Sequence, residues 1–141
     1  MTNYLYIAFF FLAACTSDSV SEQPDKTTRI FNYYLRTAFN DSIPVTPQLY
    51  LLVPQTGCKG CMVNQISTMA DSLRKQNKLP VQLILTRKIS GIDSLQSFAE
   101  KSRFDTQALM DRIDLPIAGV TLIKTEKGCV TSVNPLRDKQ Q

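Results

Sequence analysis

Four cysteines, Cys15, Cys58, Cys61 and Cys129, carry most of the chemistry open to this chain of 141 residues. It has no His and no Trp. A histidine base, a Ser-His-Asp triad, a Cys-His nucleophile pair and a His-ligated metal or haem are therefore excluded. Cys58 and Cys61 stand in the run Gly57-Cys58-Lys59-Gly60-Cys61. Two thiols at this spacing suit thiol–disulfide exchange, a structural disulfide or part of a metal site. Zinc takes four ligands, usually from two such pairs. One pair is present, so neither a metal nor any other cofactor is expected.

The elements around the pair decide which chemistry is favoured. Gln48 to Pro54, QLYLLVP, is an apolar run of strand length that breaks at Pro54 and Gly57. From about Lys59 to Asn77, the residues Met62, Ile66, Met69, Ala70 and Leu73 form a helical stripe. The pair thus sits where a strand turns into a helix. Helix N-termini present unpaired N–H groups and a partial positive charge, which stabilise a thiolate. Cys58, just before the first turn, is the candidate nucleophile, and Lys59 adds a positive charge beside it. Cys61, one turn in, is placed to attack a mixed disulfide on Cys58. Gly60 lets the backbone fit the small ring.

Further along, Val81 to Thr86 reads as a second strand, buried on both faces and parallel to the first. Ser94 caps an expected helix running to about Arg103, with Leu95, Phe98 and Ala99 inward. Thr106 to Ile113 suggests another helical turn or two. Gly119 to Thr125 is a third strand, Glu126-Lys127-Gly128 a hairpin turn, and Cys129 to Val133 a fourth strand. The tail from Asn134 reads as polar and frayed. Ahead of the pair, Ile30 to Phe39 leans to helix, with Ile30, Tyr33, Tyr34 and Ala38 on one face. The aromatics Phe31, Tyr33, Tyr34 and Phe39 read as core rather than a ligand platform, or alternatively as cover for one face of the sheet. Asn40 to Pro47 is a loop. Cys129 lies past the hairpin turn, at the sheet end away from Cys58, and reads as a small buried apolar residue.

The order strand, Cys-x-x-Cys at a helix start, parallel strand, helix and terminal hairpin resembles the thioredoxin fold over about residues 48–133. The expected class is therefore α/β, a thioredoxin-like central mixed sheet with flanking helices and a C-terminal β-hairpin. The resemblance implies thiol–disulfide exchange, with Cys58 as nucleophile, Cys61 as resolving thiol and a Cys58–Cys61 disulfide in the oxidised form. Gly57 stands where the family commonly has an aromatic residue, and Val120 where it has a cis-proline. The family's buried acid beneath the active site has no evident counterpart in QLYLLVP.

Residues Tyr4 to Ala14, YLYIAFFFLAA, form an unbroken apolar run, too short for a bilayer span of roughly 20 residues. The run ends in Leu12-Ala13-Ala14-Cys15, which resembles a bacterial lipobox cut before the Cys, whose thiol then carries diacylglycerol. Thr16 to Thr28, TSDSVSEQPDKTT, reads as a polar tether. The chain divides accordingly into a signal peptide (1–14), a lipidated Cys15 with its tether (15–27) and a thioredoxin-like domain (28–141). With its GCxGC run it resembles small thioredoxin-like lipoproteins of Bacteroidetes-type bacteria. The resemblance implies a lipid-anchored domain in the cell envelope, outside the cytoplasm. Thr16 after the Cys, rather than Asp, leans to the outer membrane over the inner one.

The formal charge is +4, and Asp18, Glu22 and Asp25 with no Lys or Arg in residues 15–25 make the part from Lys26 onward more basic still. Its Lys and Arg are scattered singly, which argues against nucleic acid and reads as a solvated basic surface, with anionic lipid the more plausible partner if the chain is tethered. The leading expectation is a membrane-anchored thiol–disulfide oxidoreductase acting on protein thiols or disulfides. The alternative is a non-catalytic module of the same fold, an accessory subunit in an envelope complex.

Overall fold

The computed structural model describes residues 25–54, 79–86, 101–117 and 119–135, together with Ile66, Thr68, Met69 and Leu73. The first helix, α1 (Lys26–Phe39), starts inside the segment read as tether. Its two ends are written in the sequence. The Asp25 carboxylate accepts the Thr27 amide at 3.3 Å, and Asn40 takes the left-handed conformation (φ 52°). The Asn40 amide donates to the Arg36 carbonyl at 3.0 Å and the Asp41 amide to Leu35 at 3.2 Å. The bond from the left-handed Asn40 to Arg36 is the αL closure, and Asn is among the few non-glycine residues that enter it at low cost.

The buried face of α1 is Thr28, Phe31, Tyr34 and Leu35. It is rotated from the expected face: Tyr33 is 61% exposed and Ile30 is half-buried. Phe31 and Tyr34 are core as expected, and Tyr33 is not. The rotation follows the sheet beneath, where the Phe31 ring meets the edge of Tyr50 at 5.1 Å.

Five strands form one mixed sheet in the order β3-β2-β1-β4-β5. The central strand β1 (Gln48–Val53) is buried along its whole length. It pairs in parallel with β2 (Val81–Leu85), Leu51 opposite Leu83, as the apolar runs led one to expect. On its other side it pairs antiparallel with β4 (Thr121–Glu126). The last strand, β5 (Cys129–Pro135), completes the hairpin and reaches two residues beyond the expected end. Lys127 (φ 54°) and Gly128 (φ 77°) both have positive φ, the signature of a two-residue type I′ turn whose twist matches the strands. The hairpin tip is tied down by the Lys127 and Gly128 amides, which donate to the Val45 and Pro44 carbonyls at 2.9 and 3.1 Å.

Residues 101–103 are not the end of a helix; Lys101–Phe104 is an edge strand, β3, parallel to β2. Parallel strands need a crossover of a dozen or more residues, and the stretch between Leu85 and Lys101 supplies that length. The remainder of the expected helix from Ser94 lies outside the described residues. After β3 a short 3-10 helix, Leu109–Arg112, takes the place of the expected helical turn.

Alternation along the strands splits the core in two. Leu49, Leu51, Val53, Leu83, Leu85 and Val120 face one side, where the helical residues Ile66 and Leu73 cover them. Tyr50, Leu52, Ile84 and Ile123 face the other, beneath Phe31, Tyr34 and Leu35 of α1 and Met110 of the 3-10 helix. Helical cover on both faces of a mixed sheet, with a parallel pair on one side of the central strand and an antiparallel hairpin on the other, defines an α/β domain of thioredoxin-like type.

Candidate functional site

The site expected from sequence is the C-terminal end of β1, from which the chain leaves toward Cys58. Two bonds hold this end. The Val53 carbonyl accepts the Thr86 amide at 3.2 Å and the Thr86 hydroxyl at 3.3 Å, clamping the exit ends of β1 and β2 together. Pro54 then ends the ladder, because it has no N–H to donate.

Val120 lies at this same end, since Thr121 pairs with Leu52. Its side chain is fully buried and belongs to the cluster of Val53, Leu85 and Ile66. Among the described residues every peptide bond is trans. Gly119, just before Val120, has φ 119°, a region L side chains rarely adopt, and the Thr121 hydroxyl donates to its carbonyl at 3.1 Å. The chain therefore reaches Val120 through a turn that depends on glycine. Gly57, Cys58, Lys59, Gly60 and Cys61 lie outside the described residues, and so does Cys15. Of the residues expected to flank the pair, Val120 is the one among the described residues.

A buried carboxylate escaped the sequence reading. Asp105 is 2% exposed and lies just beyond β3, its amide donating to the Leu85 carbonyl at 2.8 Å. Its Oδ2 accepts the Met110 amide at 2.8 Å and the Tyr34 hydroxyl at 3.3 Å. Burial first, and then the charge of Asp105, hold the Tyr34 phenol far above its ordinary value of 10. Asp105 sits at the exit end of the strands, on the α1 side of the sheet, whereas Val120 packs on the opposite side. The available signal was an Asp ahead of a helical turn, a common capping pattern, and it did not single out one Asp among several.

Cys129 is buried as expected, at 8% exposure, but it is not an inert apolar filler: it is disulfide-bonded. It is the one cysteine among the described residues, so its partner lies outside them. Cys129 pairs with Glu126 at the hairpin, at the sheet end opposite Val53. It is also next to the start of α1, because the Val130 amide donates to the Thr28 hydroxyl at 3.0 Å. Its Sγ lies 3.7 Å from the Lys127 carbonyl. Among the described residues no three Cys, Asp or Glu side chains come together as a metal site would require.

No family model and no curated protein matches the chain. Among solved structures it is similar to reduced Prx3 from Vibrio vulnificus in complex with hydrogen peroxide, at 14% identity and a TM-score of 0.38, over 70% of this chain and 76% of that one. The thioredoxin-like class stands on this chain's own strand order and pairing.

Proposed function

We propose that the chain is a membrane-anchored thiol–disulfide oxidoreductase of the cell envelope, working through Cys58 and Cys61. The observation that supports it is the position of the pair in the chain. β1 ends at Val53, Ile66 is already helical and packed against Val53, and the Cys-x-x-Cys falls between them. A helix starting at the pair, as the sequence leads one to expect, would stabilise the Cys58 thiolate. In the reducing direction, the Cys58 thiolate attacks one sulfur of a partner disulfide and forms a mixed disulfide, releasing the first partner thiolate. The Cys61 thiolate then attacks Cys58 Sγ, displaces the second partner thiolate and closes the Cys58–Cys61 bond. Two electrons pass to the partner, and oxidation of a partner dithiol is the reverse. Cys15 carries the lipid, and the domain acts outside the cytoplasm, with the outer membrane favoured.

The second reading is a non-catalytic module in an envelope assembly. One observation favours it: Cys129 is buried and oxidised, as a structural staple would be. That bond also constrains the whole assignment. Its partner must be drawn from Cys15, Cys58 and Cys61. A bond to Cys15 leaves the Cys-x-x-Cys pair intact and excludes lipid on that copy. A bond to Cys58 or Cys61 breaks the pair.

The test is the reduction potential and alkylation rate of the chain carrying Cys15→Ser. A reversible Cys58–Cys61 couple between roughly −120 and −270 mV, with Cys58 alkylated rapidly at neutral pH, is the expected result. A couple below about −300 mV, or thiols inert until unfolding, would remove the enzyme reading in favour of the module.

A further inference from the structure

α1 and the 3-10 helix do not meet flush. Between them runs an open groove of about 560 Å³, floored by Ile30, Leu109 and Ile113. Its rim carries Lys26, Arg29 and Arg112, with Tyr33 standing 61% exposed among them. Among the described residues the lining holds one carboxylate, Asp114, which is taken by Lys26 at 2.5 Å, and that contact keeps Asp114 ionised to lower pH. Among the described residues, neither Arg29 nor Arg112 is in a salt bridge with a carboxylate. Arg112 is held in place by its Nη2, which donates to the Gln107 carbonyl at 3.0 Å.

We propose that this face docks on an anionic lipid surface, with Arg29 and Arg112 on headgroup phosphates and Tyr33 at the interface. The inference rests on the lipid-anchor reading of Cys15 given above. Two observations select this occupant. The first is charge: two exposed guanidinium groups and an amphipathic aromatic are the chemistry that anionic headgroups attract. The second is position. The groove opens at the first turn of α1, and Asp25 is ten positions from Cys15. Fully extended, these ten steps reach at most about 35 Å, so a lipid on Cys15 keeps this face near the bilayer. Docking through α1 leaves the opposite face of the sheet, covered by Ile66 and Leu73, turned away from lipid.

The experiment uses the full chain carrying Cys15→Ser, so that no acyl chain contributes, together with Tyr33→Trp. The chain has no other Trp, so emission reports the groove alone and not the apolar N-terminal run. Vesicles of phosphatidylcholine with about one-third phosphatidylglycerol should shift the emission to the blue, and pure phosphatidylcholine should not. Arg29→Gln and Arg112→Gln should each weaken the titration about fivefold. Lys124→Gln, on the opposite face of β4, should change it less than twofold. A shift equal on neutral vesicles, an equal loss with Lys124→Gln, or no shift at all overturns the proposal. A shift with poly-glutamate but not with vesicles would overturn it as well and assign the face to an acidic protein. The anchor reading is judged separately, by the mass of the processed wild-type N-terminus; its failure leaves the emission result standing.

Discussion

Arg103 Nη2 and Asp41 Oδ2 lie 2.6 Å apart and join the edge strand β3 to the residue that closes α1. The Arg103 side chain is only 12% exposed, and its guanidinium also sits 5.3 Å from the centre of the Phe39 ring. Asp41 is 42% exposed, so solvent screens part of the attraction. Arg103→Ala should still destabilise the domain by about 1 kcal/mol, mostly through lost packing on Phe39. Arg103→Lys should recover little, because an ammonium cannot stack on the ring as a guanidinium does. Denaturant titrations of the two variants would check this, and a full rescue by Lys would contradict it.

The pairing of Tyr34 with Asp105 predicts that Tyr34→Phe leaves the buried carboxylate one donor short. The expected cost is about 1–3 kcal/mol. Asp105→Asn, which keeps an acceptor for the Met110 amide, should cost less than Asp105→Ala. Thermal melts would read both comparisons.

Stability at high pH follows from the tyrosines. Burial, aided by Asp41 and opposed by Arg103, pushes the Tyr50 phenol up to about 12. The raised value means that the folded state keeps its proton when the unfolded chain has lost it. The contribution is fully present below the unfolded value of 10 and is lost as pH climbs from 10 toward 12. In that window Tyr50 and Tyr34 should each add a loss of about 1.4 kcal/mol per pH unit. Tyr50→Phe should therefore flatten the decline measured between pH 10 and 12, and a slope unchanged from wild type would contradict the assignment.

Backbone conformation identifies stabilising substitutions. Ala108 (φ 49°) and Lys127 (φ 54°) are held in the left-handed region without being glycine or asparagine. Ala108→Gly and Lys127→Asn should each raise stability by about 0.5–1 kcal/mol. Gly119→Ala should lower it by about 1 kcal/mol or more. The added Cβ would meet nothing within 4 Å, so this loss would be conformational and not steric.

The Cys129 disulfide calls for mapping. Cys129 lies beside the start of α1 and at the far end of the sheet from Val53. Peptide mapping of the non-reduced chain should return Cys129 linked to one of the other three cysteines. A Cys15–Cys129 fragment would exclude lipid on that copy and contradict the anchor. A Cys129 link to Cys58 or Cys61 would rule out exchange through that pair in the linked form.

Much of the fold was legible because it depends on neighbours in sequence. QLYLLV and VQLIL are continuous apolar runs, and each became a strand buried along most of its length. Asn40 and Gly128 marked a helix end and a hairpin because few residues tolerate positive φ. Lys101–Phe104 was not legible: KSRF is short and half charged, and it is a strand because β2 offers it an open edge. The exposed side of Tyr33 was equally hidden, since a helix with aromatics on several faces takes its rotation from the surface beneath it.

The sequence by itself determined where strands and turns lie, and it put a pair of cysteines between a strand and a helix. Those features arise from residues a few positions apart, where apolar period and backbone preference act directly. Tertiary structure alone decided that Asp105 meets Tyr34 across 71 residues and Arg103 meets Asp41 across 62. It also decided that Cys129 is bonded and that three cationic side chains share one groove. Such contacts exist only after the chain has folded back on itself, so no local pattern in the sequence announces them.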